Sequence, residues 1–284
     1  MWLTVAISSA ILFGLAGWWM KRSQMSGGTT SALLLGLYAS GTFGFGVHAA
    51  FEGSLASLAD YRIWVAGAII GAGSAIGNAV FMKALDYGPA SLTSPLTNMN
   101  IMLVVALGTL VYKEPLHLTQ ACGILLLLLS VVLISYKKQI QAVPAQRQWF
   151  LYVGAAVIFF TFRNGGLKVT EGWGFASAPI LFVGYLLSFL WFALQSKEKN
   201  GSTRKSAYRT GLLYGLLAGL FSYAGLQLYA TALATGPANL AAPIFATNSL
   251  VVAAGAILIY KEKLNAAQWA AFACMMIGLV VIRL

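Results

Sequence analysis

Charge is what this sequence has least of. Only 9% of its 284 residues are Asp, Glu, Lys or Arg, and just seven are acidic. Against 59% hydrophobic residues and a mean hydropathy of +0.79, too little polar surface remains to clothe a soluble domain. The chain belongs in lipid. The seven acids, Glu52, Asp60, Asp86, Glu114, Glu171, Glu198 and Glu262, all fall at predicted helix ends or loops, so no mid-span Asp or Glu offers itself for proton coupling. With two histidines in the whole chain, no cluster of acids, histidines or metal ligands supports a membrane enzyme acting on lipid-linked substrates. The two cysteines, Cys122 and Cys274, have no CxxC partner or neighbouring histidine, which argues against a disulfide framework and against a metal site. They read as small helix-filling residues. No cofactor is implied. Met1 to Ile11 lacks the positive start of a cleaved signal peptide, while Lys21 and Arg22 follow the first apolar run directly, so that run is read as retained.

What is present is apolar runs. A membrane-crossing helix needs about 20 mainly apolar residues, and roughly ten such runs occur, near 3–20, 31–51, 62–82, 90–111, 117–136, 149–168, 175–195, 209–233, 238–260 and 265–283. His48, Arg163 and Lys168 interrupt the second and sixth. Stretches such as Ile124 to Val132 are apolar on every side, and the period-two alternation of a membrane β-barrel is absent. The expected fold is an all-α membrane protein.

The chain also repeats. A shift of 148 positions aligns residues 67–136 with 215–284, and 22 of those 70 pairs are identical, where chance in so apolar a chain gives roughly a tenth. Gly88-Pro89-Ala90 pairs with Gly236-Pro237-Ala238, Pro95 with Pro243, Asn100 with Asn248, and Tyr112-Lys113-Glu114 with Tyr260-Lys261-Glu262. Gly67 and Gly71 pair with Gly215 and Gly219, each a GxxxG spacing that lets two membrane helices approach closely. The first two helices of each half align poorly under this shift. Five spans per half is an odd number, so ten spans imply two inverted five-helix repeats: residues 1–138, a linker at 139–148, and residues 149–284.

The order of these motifs resembles the EamA-like family of the drug/metabolite transporter superfamily. Gly-Pro-Ala-Ser-Leu stands before a proline-bearing fourth helix, and Tyr-Lys-Glu-Pro before a fifth helix opening on Gln120-x-x-Gly123. The resemblance covers essentially the whole chain. It implies a carrier in a bacterial plasma membrane, moving a small organic solute such as an amino acid, nucleotide sugar, choline-like cation, sugar phosphate or drug. It also implies a central cavity bounded by both halves, with the fifth and tenth helices peripheral. Small multidrug-resistance relatives carry a glutamate within their first helix; the first span here has none, which argues against an antiporter of lipophilic cations and favours a facilitator or exchanger. The alternatives are an integral-membrane enzyme and a non-transporting scaffold.

Several residues are candidates for the cavity. Pro95 and Pro243 each remove a helix hydrogen bond inside a span, and Asn98, Asn100 and Asn248 follow them; interhelical bonding and solute contact both fit the asparagines. Trp18, His48, Asn78, Asn164, Tyr223 and Gln227 add aromatic faces and amides suited to a small amphipathic molecule. An interfacial tryptophan belt fits Trp18 equally well, and an interfacial residue fits His48. Arg163 either snorkels to the nearby surface or faces the cavity. In the second case it favours a carboxylate or phosphate on the solute. Glu114 is read as a cap on the fifth helix, with Lys113 at the negative end of the fourth.

Thirteen of the 18 Lys and Arg fall in odd-numbered connections. The positive-inside rule therefore puts those connections in the cytoplasm and both termini outside, whereas the resemblance implies both termini inside. Basic loops on an anionic leaflet account for the net charge of +11 without nucleic acid. The expected partners are a small-molecule solute and the bilayer, and the oligomeric state is not legible. Replacing Asn100 or Asn248 by Leu is expected to impair transport more than replacing Gln120 or Gln268, which open peripheral helices; equal losses in an uptake assay would remove the case for the fourth and ninth helices.

Overall fold

The structure is a computed structural model that describes residues 1–87, 93, 96–134, 147–196, 204–251 and 266–281. Expectations placed on Gly88-Pro89-Ala90, Pro95, Tyr260-Lys261-Glu262, Glu198 and most of the linker lie outside the described residues. All regular structure among those residues is helical. In chain order the helices are α1 (Trp2–Met25), α2 (Thr30–Phe51), α3 (Tyr61–Tyr87), α4 (Leu96–Val111), α5 (Leu118–Ile134), α6 (Arg147–Gly172), α7 (Ser177–Ser196), α8 (Arg204–Thr235), α9 (Ala238–Ala246) and α10 (Ala266–Val281). Six of them, α1, α2, α3, α6, α7 and α8, are long and apolar enough to cross a membrane unaided, and α4, α5 and α10 are shorter apolar helices. α6 begins at Arg147, two residues inside the expected linker.

α4 and α9 depart most from the continuous spans expected at 90–111 and 238–260. α4 is interrupted at Met99 and ends in a π-helical turn over Leu107–Val111. α9 runs unbroken through Pro243 and is interrupted at Thr247, four residues later. Met99 and Thr247 are 148 positions apart, so the interruption is itself part of the repeat.

Contacts along the helices fix their relative directions. α1 runs opposite to α8, with Trp2 by Gly236, Phe13 by Gly225, and Trp19 stacked on Tyr214. α2 runs with α8, since Leu33 meets Gly215, Leu37 meets Gly219 and His48 meets Tyr223. It runs against α7, where Tyr38 stacks on Phe192 and Gly46 meets Phe182. α3 runs with α7 through Gly67 on Ile180 and Gly71 on Gly184, and against α6 through Ile70 on Gly166, Gly77 on Phe160 and Tyr87 on Tyr152. α4 follows α6, from Asn100 beside Asn164 to Tyr112 beside Gly172. α9 follows α1, from Trp2 at Gly236 to Phe13 at Phe245. Directions therefore alternate along α1 to α4 and along α6 to α9, and each helix points opposite to the one five places on.

The same contacts extend the repeat to the helices that aligned poorly. Phe13 on Gly225 matches Phe160 on Gly77, and Tyr38 on Phe192 matches Tyr185 on Phe45. The hydroxyls of Tyr38 and Ser74 lie 3.0 Å apart, and those of Tyr185 and Ser222 2.8 Å apart. The glycine with positive φ after α1, Gly27 (φ 73°), has its counterpart after α6 in Gly174 (φ 76°). These pairs show a shift of 147 in the first two helices of each half and 148 in the last three. A one-residue difference in length before α3 and α8 hid the match.

Almost all the close packing lies between the halves rather than within one. The GxxxG glycines build it: Gly67 and Gly71 seat α3 on α7, and Gly215 and Gly219 seat α8 on α2, the two crossings that the repeat interchanges. α5 and α10 pack mainly on each other, through Gly123, Leu127 and Gly278, at the edge of the bundle. Large apolar side chains such as Phe43, Leu125, Val132, Leu194, Leu213 and Met276 are exposed on the outer faces, where lipid is the fitting solvent. A side chain at Gly215 would collide with the carbonyl group of Leu33, whereas one at Gly154 would enter open space. Gly215→Ile is therefore expected to lower the Tm of detergent-purified protein by several degrees, and Gly154→Ala to leave it unchanged or slightly raised, as the propensity gain of up to about 1 kcal/mol allows.

Candidate functional site

The most buried charge in the described protein is Arg163, near the middle of α6 and only 6% exposed. It does not snorkel. Its Nε donates to Asn164 Oδ1 (3.0 Å), Asn164 Nδ2 donates to Asn100 Oδ1 (2.8 Å), and Asn100 Nδ2 donates to the Thr97 carbonyl (2.6 Å). The interruption at Met99 explains the last bond: it releases a carbonyl from the regular ladder, and the amide three residues on takes it up. Asn248 does the same for the Phe245 carbonyl (2.7 Å) beside Thr247. The two asparagines thus satisfy backbone at equivalent helix breaks, and Asn100 also links α4 to α6.

The guanidinium of Arg163 lies over the ring of Phe160 (4.6 Å to the centroid) and of Phe13 (5.2 Å). Those rings are repeat counterparts, one from each half, so Arg163 sits where the two halves exchange. The phenols of Tyr38 and Tyr185, also counterparts and 5.1 Å apart by ring centroid, lie within its electrostatic reach, as does that of Tyr229. The position equivalent to Arg163 in the first half is Ala16, so the cation breaks the symmetry at its centre. Among the described residues no carboxylate pairs with it, and its terminal nitrogens make no protein hydrogen bond. An uncompensated buried charge costs several kcal/mol, and each of the two aromatic faces returns about 2 kcal/mol of that. The arrangement is one short of a counter-charge.

Further polar groups are buried in the bundle. The Tyr229 hydroxyl is fully buried with no partner, its ring stacked 4.3 Å from Phe245, which in turn lies 4.9 Å from Phe13. Gln227 donates to Ser177 Oγ (3.3 Å) and leaves its own carbonyl oxygen buried and unpartnered; Trp18 Nε1 is likewise buried without a partner. Asn78 donates to the Tyr38 hydroxyl (2.9 Å). Asn98 lies in α4's first turn and is half-buried. The structure thus gathers Arg163, Asn164 and Asn100 into one chain of bonds, sets Asn78 on the Tyr38 phenol, and places His48 and Tyr223 elsewhere. His48 Nδ1 meets the Tyr223 hydroxyl and Nε2 meets Glu52 Oε1, both at 3.0 Å, where α2 ends. Sequence reasoning pointed to Tyr229 on the eighth helix but missed Phe13, Phe160, Tyr38 and Tyr185 as parts of the centre. A shift of 147 would have paired those four.

Glu114 is a correction. It does not cap α5: its two carboxylate oxygens accept from the backbone N–H groups of Ala238 and Asn239, both at 2.9 Å, at the start of α9 in the other half. Lys168 lies 3.3 Å from Glu114 and 2.9 Å from Glu171, so this second inward cation is fully compensated. Lys113 adopts a positive φ of 53°, which turns the chain so that Glu114 points back into the bundle. The helix directions put Glu52, Asp60, Arg62, Glu114, Lys168 and Glu171 at one end of the bundle, and Lys21, Arg22, Lys83, Arg147, Lys205 and Arg209 at the other, shared there by Asp86. At the mixed end, hydrogen bonds from Arg62 hold the half-buried Asp60 carboxyl below its usual pKa. Glu114→Gln is expected to destabilise the protein by about 1–2 kcal/mol through the weakened α9 cap, read as a lower Tm, while Lys113→Gln leaves Tm unchanged.

The EamA-like transporter family model matches residues 1–136 and again 149–284. A crystal structure of a protein 14% identical to this chain superposes with a TM-score of 0.77, covering 99% of this chain and 95% of that one, and so shares the fold. An uncharacterised protein of Methanocaldococcus jannaschii is 38% identical over 60 residues, which is 21% of this chain and 44% of the relative; the match spans less than half of that protein's length.

Proposed function

Because the chain belongs to the EamA-like transporter family, we propose that it is a secondary carrier which crosses the membrane ten times and moves a small organic metabolite by alternating access. The two halves are inverted relative to each other, a reading supported by the opposed directions of helices five places apart. Two inverted halves can rock about a shared centre and present it to either side in turn. The observation that carries the proposal is the Arg163 centre, a buried polar group built from both halves at the place their symmetry exchanges. A group at that place is reached over similar distances from both ends, as a solute site in a rocking carrier must be.

The packing suits such motion. Glycine-lined crossings between the halves present little side-chain interlock, so one half can shift on the other without repacking large groups. The interruptions in α4 and α9 lie beside the centre, and broken helices at depth are tolerated where they line a cavity. The basic end of the bundle, placed in the cytoplasm by the positive-inside rule, leaves both termini outside. Transport proceeds by exchange or facilitated flux, with no covalent chemistry.

Reconstitution into liposomes tests this reading. Saturable uptake or counterflow of at least one member of a broad panel of small metabolites is expected. A panel that yields neither flux nor thermal stabilisation of the purified protein would overturn the carrier assignment.

A further inference from the structure

We propose that Arg163 is the solute-binding cation of this centre, and that the solute is a small organic monoanion with a flat apolar body. The inference rests on the carrier reading for its physiological sense, and on separate observations for its chemistry. Arg163 is buried, its Nε is held by Asn164, and among the described residues its two terminal nitrogens find no acceptor. Nitrogens so disposed match the two oxygens of a carboxylate, or two of a phosphate, as parallel bonds. A second group points the same way. Tyr229, fully buried and unpartnered at its hydroxyl, is joined to the guanidinium through the ring series Tyr229, Phe245, Phe13, and supplies a further donor to an anion.

The charge of the solute follows from counting what is compensated. The other inward cation, Lys168, already has Glu114 and Glu171, and among the described residues no carboxylate stands at the Arg163 centre. A monoanion neutralises that centre. A dianion overfills it, and the ammonium of a zwitterion finds no carboxylate there. The body of the solute follows from the rings gathered around the guanidinium. Phe13, Phe160, Phe245 and Tyr229 present aromatic rings, which take up flat apolar surface and disfavour a polyhydroxylated body.

Three probes with one body separate the possibilities: phenylacetate as anion, phenylalanine as zwitterion and phenylacetamide as neutral analogue. Thermal shift and tryptophan-fluorescence titration of the full-length protein in detergent are expected to show saturable binding of phenylacetate, at least about tenfold tighter than either analogue. R163Q is expected to abolish that preference, R163K to keep binding at intermediate strength because it keeps the charge without the fork, and Y229F to weaken it about three- to tenfold. Should R163Q fail to fold, R163K and Y229F carry the test. A wild-type protein silent to phenylacetate, equal binding of all three probes, or unchanged preference in R163Q or in both R163K and Y229F overturns the proposal. Uptake in proteoliposomes keeps it distinct from the carrier reading. Binding of phenylacetate with no flux of any solute leaves the anion site and retires the carrier, whereas saturable flux of phenylacetamide indifferent to R163Q does the reverse.

Discussion

Close approach at glycines across the two halves holds this bundle together. Lipid tails are as apolar as leucine, so helices in a membrane gain little from the hydrophobic effect when they meet, and packing at short range must hold them. Gly67, Gly71 and Gly184 on one side, and Gly215, Gly219 and Gly36 on the other, remove the side chains that would keep the backbones apart. Since nearly every such crossing joins one half to the other, neither half has a core of its own. The fold is an interface, built where the absence of side chains allows the close approach.

Onto that near-symmetric frame one asymmetric charge is set. The repeat would place an alanine where Arg163 stands, and the surrounding rings, Phe13 with Phe160 and Tyr38 with Tyr185, keep their pairing regardless. Symmetry supplies a centre shared by both halves, and the departure from symmetry sets a charge in it. The asparagines at the helix breaks connect the two. Asn100 holds both a freed carbonyl of α4 and, through Asn164, the orientation of the guanidinium, so the interruption and the charge are parts of one arrangement. Glu114 gives a parallel lesson at the mixed end, where a carboxylate from the first half caps a helix of the second and compensates Lys168. Among the described residues one inward cation has its carboxylates and the other has none.

How much of this could be read beforehand differs by kind of feature. The helical class, the apolar spans and the duplication follow from composition and from self-comparison, because lipid forces every backbone group into a helix and leaves its mark on each run of residues. Arg163, Asn164 and Asn100 were legible one by one as polar groups where polar groups are costly. Their adjacency was not, since residues 100 and 164 meet only through the packing of α4 on α6. Glu114 was misread for the same reason: sequence offers the nearest helix as the one to be capped, and the bundle offers another, 124 residues away.

The amino-acid sequence by itself determined that the chain is helical, membrane-embedded, twice repeated and poor in buried acid, because these depend on residue type and local order alone. Only the tertiary structure decided the interruption at Thr247 rather than at Pro243, and the union of two halves around an arginine with no counter-charge among the described residues. Those depend on which surfaces meet, and in a bundle whose interfaces are nearly all between repeats, no single segment carries that information.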